Sequence, residues 1–330
     1  MSRIKLSFAC WDYDRIRAIA DGRIRPEGID LNYMNLPVEE TFFRMLRYGE
    51  FDVAEMSLSS YTVSLSRDPQ RFIALPVFMS RSFRHNCIFV STKSGIEKPS
   101  DLAGKRIGVP EYQMTAPVWI RGILEDEYGV DASSPTYFTG GEEQPGRDEK
   151  LKLDLPAKIK IQPIPSDKTL SQMLAEGEID ALHAPRIPST FHSRPDAVRR
   201  LFDDPVAEEK AYYRKTGLFP IMHVIAIRRD VYESNRWIAR SLYNAFVAAQ
   251  QIAYENLKIG AALKTSLPWQ VAAVDETIAL MGEDWWPYGL DVNRKVLDTF
   301  LRYHHDQGLS PKRLTPEDLF APETLEAAKI

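Results

Sequence analysis

The stretch LPVEETFFRMLRYGEFD, residues 36–52, recurs without a gap as IPSDKTLSQMLAEGEID, residues 164–180. Pro37, Thr41, Met45, Leu46, Gly49, Glu50 and Asp52 reappear as Pro165, Thr169, Met173, Leu174, Gly177, Glu178 and Asp180. Each copy carries the same physical instruction. A strand ends at Leu-Pro or Ile-Pro, a helix runs through Met-Leu, and a glycine stops the helix where a left-handed residue is required. The apolar run beyond each glycine reads as a buried parallel strand. Two like segments 128 positions apart predict an α/β protein with two lobes of related build. A cleft between such lobes is a common seat for a small ligand.

Working outward from the first copy, Ile4–Ala9, Ile29–Leu36, Phe51–Met56 and Phe72–Val77 read as strands. The second copy lies among Asn86–Ser91, Arg106–Val109, Ile159–Ile164 and Ile179–Leu182. Asp12 or Asp14 is placed to cap a short helix over Arg15–Ala20, and Thr115 to cap a longer one with Pro117 in its first turn. Residues 203–215 read as a charged surface helix and Met222–Ile227 as a strand. Helical patterns then fill roughly 234–258, 270–283 and 292–307. The strands Asn86–Ser91 and Met222–Ile227 bracket the second block, as hinge-crossing strands would. The expected division is therefore 1–85 plus 226–330 as a discontinuous first lobe with a helical C-terminal region, and 86–225 as the second, with the ligand cleft between them.

The bulk numbers narrow the function. The chain has 330 residues and a net charge of −4, which disfavours a general nucleic-acid binder but not a local basic pocket. No segment approaches the length of a membrane span, and the first residues do not read as a secretory leader. Cys10 and Cys87, the two cysteines, form neither a disulfide framework nor a zinc site and fit a reducing compartment. The expectation is a cytoplasmic protein with no membrane association. The helical C-terminal third offers a surface for a possible homo-oligomer.

Ligands in open α/β sheets sit beyond the carboxyl ends of the strands. There the sequence places Cys10, Trp11, Asp12 and Tyr13; Ser57, Ser59 and Ser60; Arg81, Arg84 and His85; Glu111, Tyr112, Gln113, Met114 and Thr115; and His183 with Arg186. Cations, aromatics and hydroxyls at these positions imply a small aromatic anion. The planar fork of arginine suits carboxylates. Histidine moves protons near neutrality, so His183, His85 and His223 are the candidates for acid–base work. His304 and His305 are adjacent and point in different directions, which does not make a metal pair. No HExxH, CxxC, calcium loop, Walker A or dinucleotide motif occurs, so neither metal nor organic cofactor is expected. WWPYG at 285–289 either lines a cleft or packs a helix end, and the loop TGGEEQPGRDEK at 139–150 is either a lid or an exposed turn.

The segments SRSFRHN (80–86), PSDLAGKRIGVPEYQMTAPVWIRGILEDEYGV (99–130), TGGEEQPGRDEK, GEIDALHAPRIP (177–188), FPIMHVIAIRRDVYE (219–233) and MGEDWWPYG (281–289) together resemble the 4,5-dihydroxyphthalate decarboxylase family. The resemblance runs over nearly the whole chain. It implies a type II periplasmic-binding-protein-like fold, two α/β lobes joined by two crossing strands. It also implies non-oxidative loss of one carboxylate from 4,5-dihydroxyphthalate to give protocatechuate, in the degradation of aromatic compounds. On that reading Arg81 or Arg84 holds the retained carboxylate, helped by N–H groups at Thr115. His183 or His85 protonates the ring carbon that loses CO₂, and His223 or Glu111 takes the phenol proton para to it. Trp11 or Tyr112 stacks on the ring. The alternatives are a solute-binding protein or sensor for a small aromatic anion, and another enzyme of the same fold, such as those of menaquinone or thiamine-pyrimidine synthesis.

Overall fold

Each copy of the repeat builds the same local frame. In the computed structural model, which describes residues 3–147 and 149–325, the first copy forms the helix Val38–Tyr48 and the second the helix Leu170–Glu176. Gly49 and Gly177 end them with φ of 62° and 81°, the left-handed conformation that a Cβ makes costly. The strands are β1 (Ile4–Cys10), β2 (Ile29–Asn35), β3 (Val53–Ser57), β4 (Phe72–Arg81), β5 (Ile88–Ser91), β6 (Arg106–Val109), β7 (Thr136–Thr139), β8 (Lys160–Pro163), β9 (Ala181–His183), β10 (Val198–Arg200) and β11 (Ile221–Arg228). One sheet runs β2-β1-β3-β11-β4 and the other β10-β5-β9-β6-β7-β8.

The register shows why the repeat is structural. β3 lies parallel to β1, with Val53 opposite Phe8, and β9 lies parallel to β6, with Ala181 opposite Ile107. The shared spacing puts Asp52 and Asp180 one residue before these pairs. Asp52 accepts hydrogen bonds from the Ser7 backbone N–H and hydroxyl at 2.8 and 2.9 Å. Asp180 accepts from the Arg106 backbone N–H at 2.9 Å and from its guanidinium at 2.7 Å. In both copies the carboxylate satisfies the N–H just outside the parallel ladder. It thereby pins a register in which a one-residue slip would turn every side chain to the wrong face. Antiparallel partners complete the likeness: β11 on β3 and β5 on β9.

The chain divides into two compact units. The first runs up to Arg81, then His223–Lys295, then onward from Thr315; the second comprises Ser82–Met222 and Val296–Leu314. Residues 296–314, which the sequence reading grouped with the first lobe, cluster with the second. Their seat is the helix Thr115–Tyr128. Gly122 there leaves space for the Tyr303 ring, which a Cβ at that position would overlap. The Trp119 ring lies 5.6 Å from both Phe300 and Tyr303, and Arg302 pairs with Asp126. This is a long-range fit that amphipathic periodicity does not encode.

Smaller departures have local causes. Met114, not Thr115, holds the N-cap position, and Thr115 is the first helical residue. Pro117 still falls among the first residues, whose N–H groups have no intrahelical partner. Neither Asp12 nor Asp14 caps the first helix; Asp12 pairs with Arg17 and Asp14 with Arg15. β7 and β10 are four and three residues long, too short to announce themselves by alternation. Among the described residues no helix is long and apolar enough to cross a membrane.

The shared aspartates give the first prediction. Asp52→Ala and Asp180→Ala each strand a part-buried backbone N–H, so each should cost about 1 kcal/mol in urea unfolding followed by circular dichroism. A loss near zero in both would remove the register role.

Candidate active site

In the first unit, β3 carries an acid inside an otherwise apolar strand. Every residue of Val53–Ser57 is buried, and Glu55 is 0% exposed. A carboxylate taken out of water needs donors on both oxygens, and three segments supply them. The Tyr13 hydroxyl donates to Oε1 at 2.7 Å, and His223 Nδ1 lies 2.6 Å from the same oxygen. The Trp11 backbone N–H donates to Oε2 at 3.2 Å and the Cys10 thiol at 3.5 Å. Burial pushes the Glu55 carboxyl up, but hydrogen bonds and charge from His223, then Tyr13 and Trp11, hold it below the ordinary range. Burial and the Glu55 charge push the Cys10 thiol and the Tyr13 phenol well up, so both stay protonated donors.

The backbone explains this gathering. Cys10 ends β1, Glu55 lies in β3, and antiparallel β11 sets His223 opposite Ser57. The Phe42 ring, from the helix of the first repeat copy, meets the His223 ring edge-on at 4.8 Å. The His223 side chain is 18% exposed while Glu55 is sealed, so the couple has one accessible end. Trp11 is 43% exposed, which leaves its indole available for stacking. Ser57 Oγ accepts from the Ser60 N–H at 3.4 Å and starts the helix Leu58–Leu65. Sequence reasoning singled out His223, Trp11 and Ser57, and the structure brings these three together. It passed over Glu55, and it placed Tyr13 at a strand end without giving it a role. The signal for Glu55 was present: an acid in the middle of the apolar run VAEMS.

Arg81 belongs to the same unit, but its guanidinium is committed. It donates to the Pro287 carbonyl at 2.8 Å and to the Asn293 side chain, and lies 5.0 Å from the Phe78 ring centre. That is a brace between β4 and the WWPYG segment, whose Trp286 also donates to the Phe78 carbonyl at 2.7 Å. The segment therefore packs an element end, and its Trp286 ring meets the Arg15 guanidinium at 4.3 Å.

The remaining candidates lie in the second unit. Glu111 is fully buried and accepts from Arg147 at 2.6 Å, Lys150 Nζ at 2.5 Å, the Lys150 backbone N–H at 3.0 Å and Gln113 at 2.9 Å. Burial raises its carboxyl, but Lys150 and Arg147 hold it below the usual range. Arg147 and Lys150 come from the 139–150 loop, which is thereby tied down by this buried acid. Tyr112 is 0% exposed and lies under the Arg121 guanidinium at 3.9 Å, so its ring packs the interior. Arg84 is buried with sulfur acceptors, Met222 Sδ at 3.1 Å and Cys87 Sγ at 3.4 Å. Its charge also acts on the neighbouring Glu209 carboxyl. Met114 is half-buried, Thr115 buried and Arg186 exposed.

His183 and His85 are each 1% exposed. Burial, then the nearby Arg121 charge, holds His183 down to about 3; burial alone holds His85 down to about 4. Both are neutral at physiological pH. His85 lies between the Phe202 and Tyr212 rings, 5.4 and 5.2 Å away. Each is set in a mainly apolar surround.

Glu149 carries a prediction. Its Oε1 accepts the Tyr112 N–H, while Oε2 is buried without a hydrogen-bond partner. Burial pushes its carboxyl up to about 7. A raised carboxyl contributes stability that is present below its unfolded value and lost as pH rises through the folded one. Glu149→Gln mimics the protonated form. Its stability gain over the parent should be small at pH 5 and grow to roughly 3 kcal/mol by pH 8. Thermal unfolding across that range checks it, and a pH-independent difference would count against it.

No protein-family model matches the chain. Among curated proteins, a 4,5-dihydroxyphthalate decarboxylase from Comamonas testosteroni is 43% identical over 330 residues, covering 100% of both chains. One from Pseudomonas putida is 45% identical over 214 residues, 65% of this chain and 83% of its own. Among solved structures, a periplasmic sulfonate-binding protein from Methylobacillus flagellatus superposes with a TM-score of 0.57 at 13% identity, covering 98% of this chain and 93% of its own. The aliphatic sulphonate-binding protein of Escherichia coli gives 0.53 at 13% identity, covering 98% and 99%. These structural likenesses establish an α/β periplasmic-binding-protein-like fold. With 43% identity carried from end to end, the chain belongs to the 4,5-dihydroxyphthalate decarboxylase family.

Proposed function

We propose that this protein is a carboxy-lyase that converts 4,5-dihydroxyphthalate to protocatechuate and CO₂, within the cytoplasmic breakdown of aromatic acids. The observation that carries the reading is the full-length identity to the Comamonas decarboxylase. The chemistry asks for modest equipment. A hydroxyl para to the departing carboxylate gives up its proton, and its electrons make the ring carbon basic enough to be protonated. The bond to the carboxylate then breaks, CO₂ leaves, and its electrons restore the aromatic ring. Each positioned proton-transfer group is worth about 10²–10⁴ in rate. The accessible imidazole of His223 and the half-exposed indole of Trp11 in the first unit support this use.

The test is to incubate the purified protein with 4,5-dihydroxyphthalate and follow CO₂ and protocatechuate by chromatography. One equivalent of each per substrate consumed is expected. Phthalate, which lacks the para hydroxyl and its electron supply, should yield no detectable product. Tight binding of 4,5-dihydroxyphthalate without turnover would instead make the protein a receptor.

A further inference from the structure

The hydrogen-bond pattern around Glu55 fixes which nitrogen of His223 can take a proton. Glu55 is an ionised carboxylate with four donors directed at it, from Tyr13, Trp11, Cys10 and His223. Tyr13 and Cys10 can only serve as donors here, because burial, and then the charge beside them, keeps their protons on. Oε1 already accepts the Tyr13 hydroxyl at 2.7 Å when His223 Nδ1 approaches to 2.6 Å. An acceptor so placed calls for Nδ1–H. The neutral ring therefore presents a bare Nε2 lone pair, and the ring is the partly exposed member of the couple. Phe42 edge-on at 4.8 Å and the β3–β11 ladder at Ser57 fix the ring plane.

We infer that His223 Nε2 is the base that removes the substrate's phenol proton and that Glu55 is its positioning residue, with Tyr13 holding Glu55. This rests on the decarboxylase reading of the same protein. The step balances simply. The O–H bond para to the departing carboxylate breaks, its proton bonds to Nε2, and its electron pair stays on oxygen as phenolate. The positive charge that arises on the ring faces a buried carboxylate prepared for it, the role an acid plays behind a catalytic histidine. The phenolate drives protonation of the ring carbon by a water molecule, which is left as hydroxide, and CO₂ departs. The proton on Nε2 then returns to the oxygen, leaving His223 neutral with its original tautomer. Net, one proton from water replaces the carboxylate.

Three variants and one probe test the assignment. His223→Ala and Glu55→Gln should each lower kcat for 4,5-dihydroxyphthalate by about 10²–10⁴-fold with KM changed by less than about threefold. Tyr13→Phe, which keeps the carboxylate–imidazole contact, should cost less, about 10- to 100-fold, the worth of one hydrogen bond to a charged group. The second readout is 4-nitrocatechol, whose catecholate absorbs at a longer wavelength than its neutral form. About one pH unit below its solution midpoint, the parent protein should bind it with the catecholate spectrum. His223→Ala and Glu55→Gln should bind it as the neutral catechol. A merely structural role would leave that spectrum alone. Should Glu55→Gln fail to fold, His223→Gln, a change at a partly exposed side chain, carries the same comparison. If the parent turns over substrate while the variants keep both kcat and the catecholate spectrum, the assignment is overturned and the decarboxylase reading stands. If the parent turns over nothing, the reading fails, and the spectral shift on its own still decides whether His223 is the base.

Discussion

A carboxylate with no exposure is the constraint on which the first unit turns. Removing a charge from water costs several kcal/mol even after relaxation, and Glu55 recovers that cost only if its donors are all in place. Those donors come from the end of β1, the turn beyond it and the start of β11. The β1–β3 ladder itself pairs only Phe8 with Val53 and Ala9 with Ala54. Past that point Glu55 is what fastens the chain after β1 to the sheet, through Trp11 and Tyr13. The site is therefore not an ornament on a finished scaffold; the acid that orients His223 is also the acid that closes this end of the sheet. On the proposed assignment, stability and chemistry draw on one set of hydrogen bonds.

The repeat lets the same argument be made twice with opposite outcomes. The offset that maps Asp52 onto Asp180 maps Glu55 onto His183, and the sheet registers agree, since Val53 and Ala181 occupy matching places. The two units thus hold one titratable side chain at the same point of the same frame. In the first, donors converge and the group is kept ionised. In the second, His183 lies beside the Arg121 guanidinium with neither ring nitrogen hydrogen-bonded, and it is kept neutral. A neutral ring beside a fixed cation is a poor acceptor of a proton at neutral pH, because protonation would bring two positive charges together out of water. The two units share a frame, and only in the first do polar partners converge on the titratable group at this position.

How much of this was legible depends on the range of each signal. The repeat, its glycine stops and the aspartate beyond each are local, and they foretold both helices, both glycine conformations and the parallel strands. The resemblance of the chain as a whole foretold the family. Assignment of residues 296–314 depended on Gly122 accommodating Tyr303, a fit between residues 181 positions apart, which no window of sequence contains. The site was half legible. His223 lies on a bracketing strand, and Trp11 and Ser57 stand at strand ends, where ligands of such sheets are expected. Glu55 sits within a strand, and a search of strand ends passes over it. The better signal was an acid interrupting a run whose neighbours are all apolar, since a buried charge must have partners.

The same accounting explains why the densest basic cluster in the sequence did not become a single site. Arg81, Arg84 and His85 are near neighbours along the chain, yet the chain passes from one unit to the other after Arg81. Arg81 ends β4 and braces Pro287 and Asn293. Arg84 turns to Met222 and Cys87, and His85 to Phe202 and Tyr212. Basic side chains gathered at one point would repel; where the backbone changes unit they can be sent to separate partners. Proximity in sequence at a strand end is thus weak evidence for a shared site where a domain crossing intervenes. Four donors converging on one carboxylate from residues 10–13 and from β11 is stronger evidence, because a buried charge must have partners.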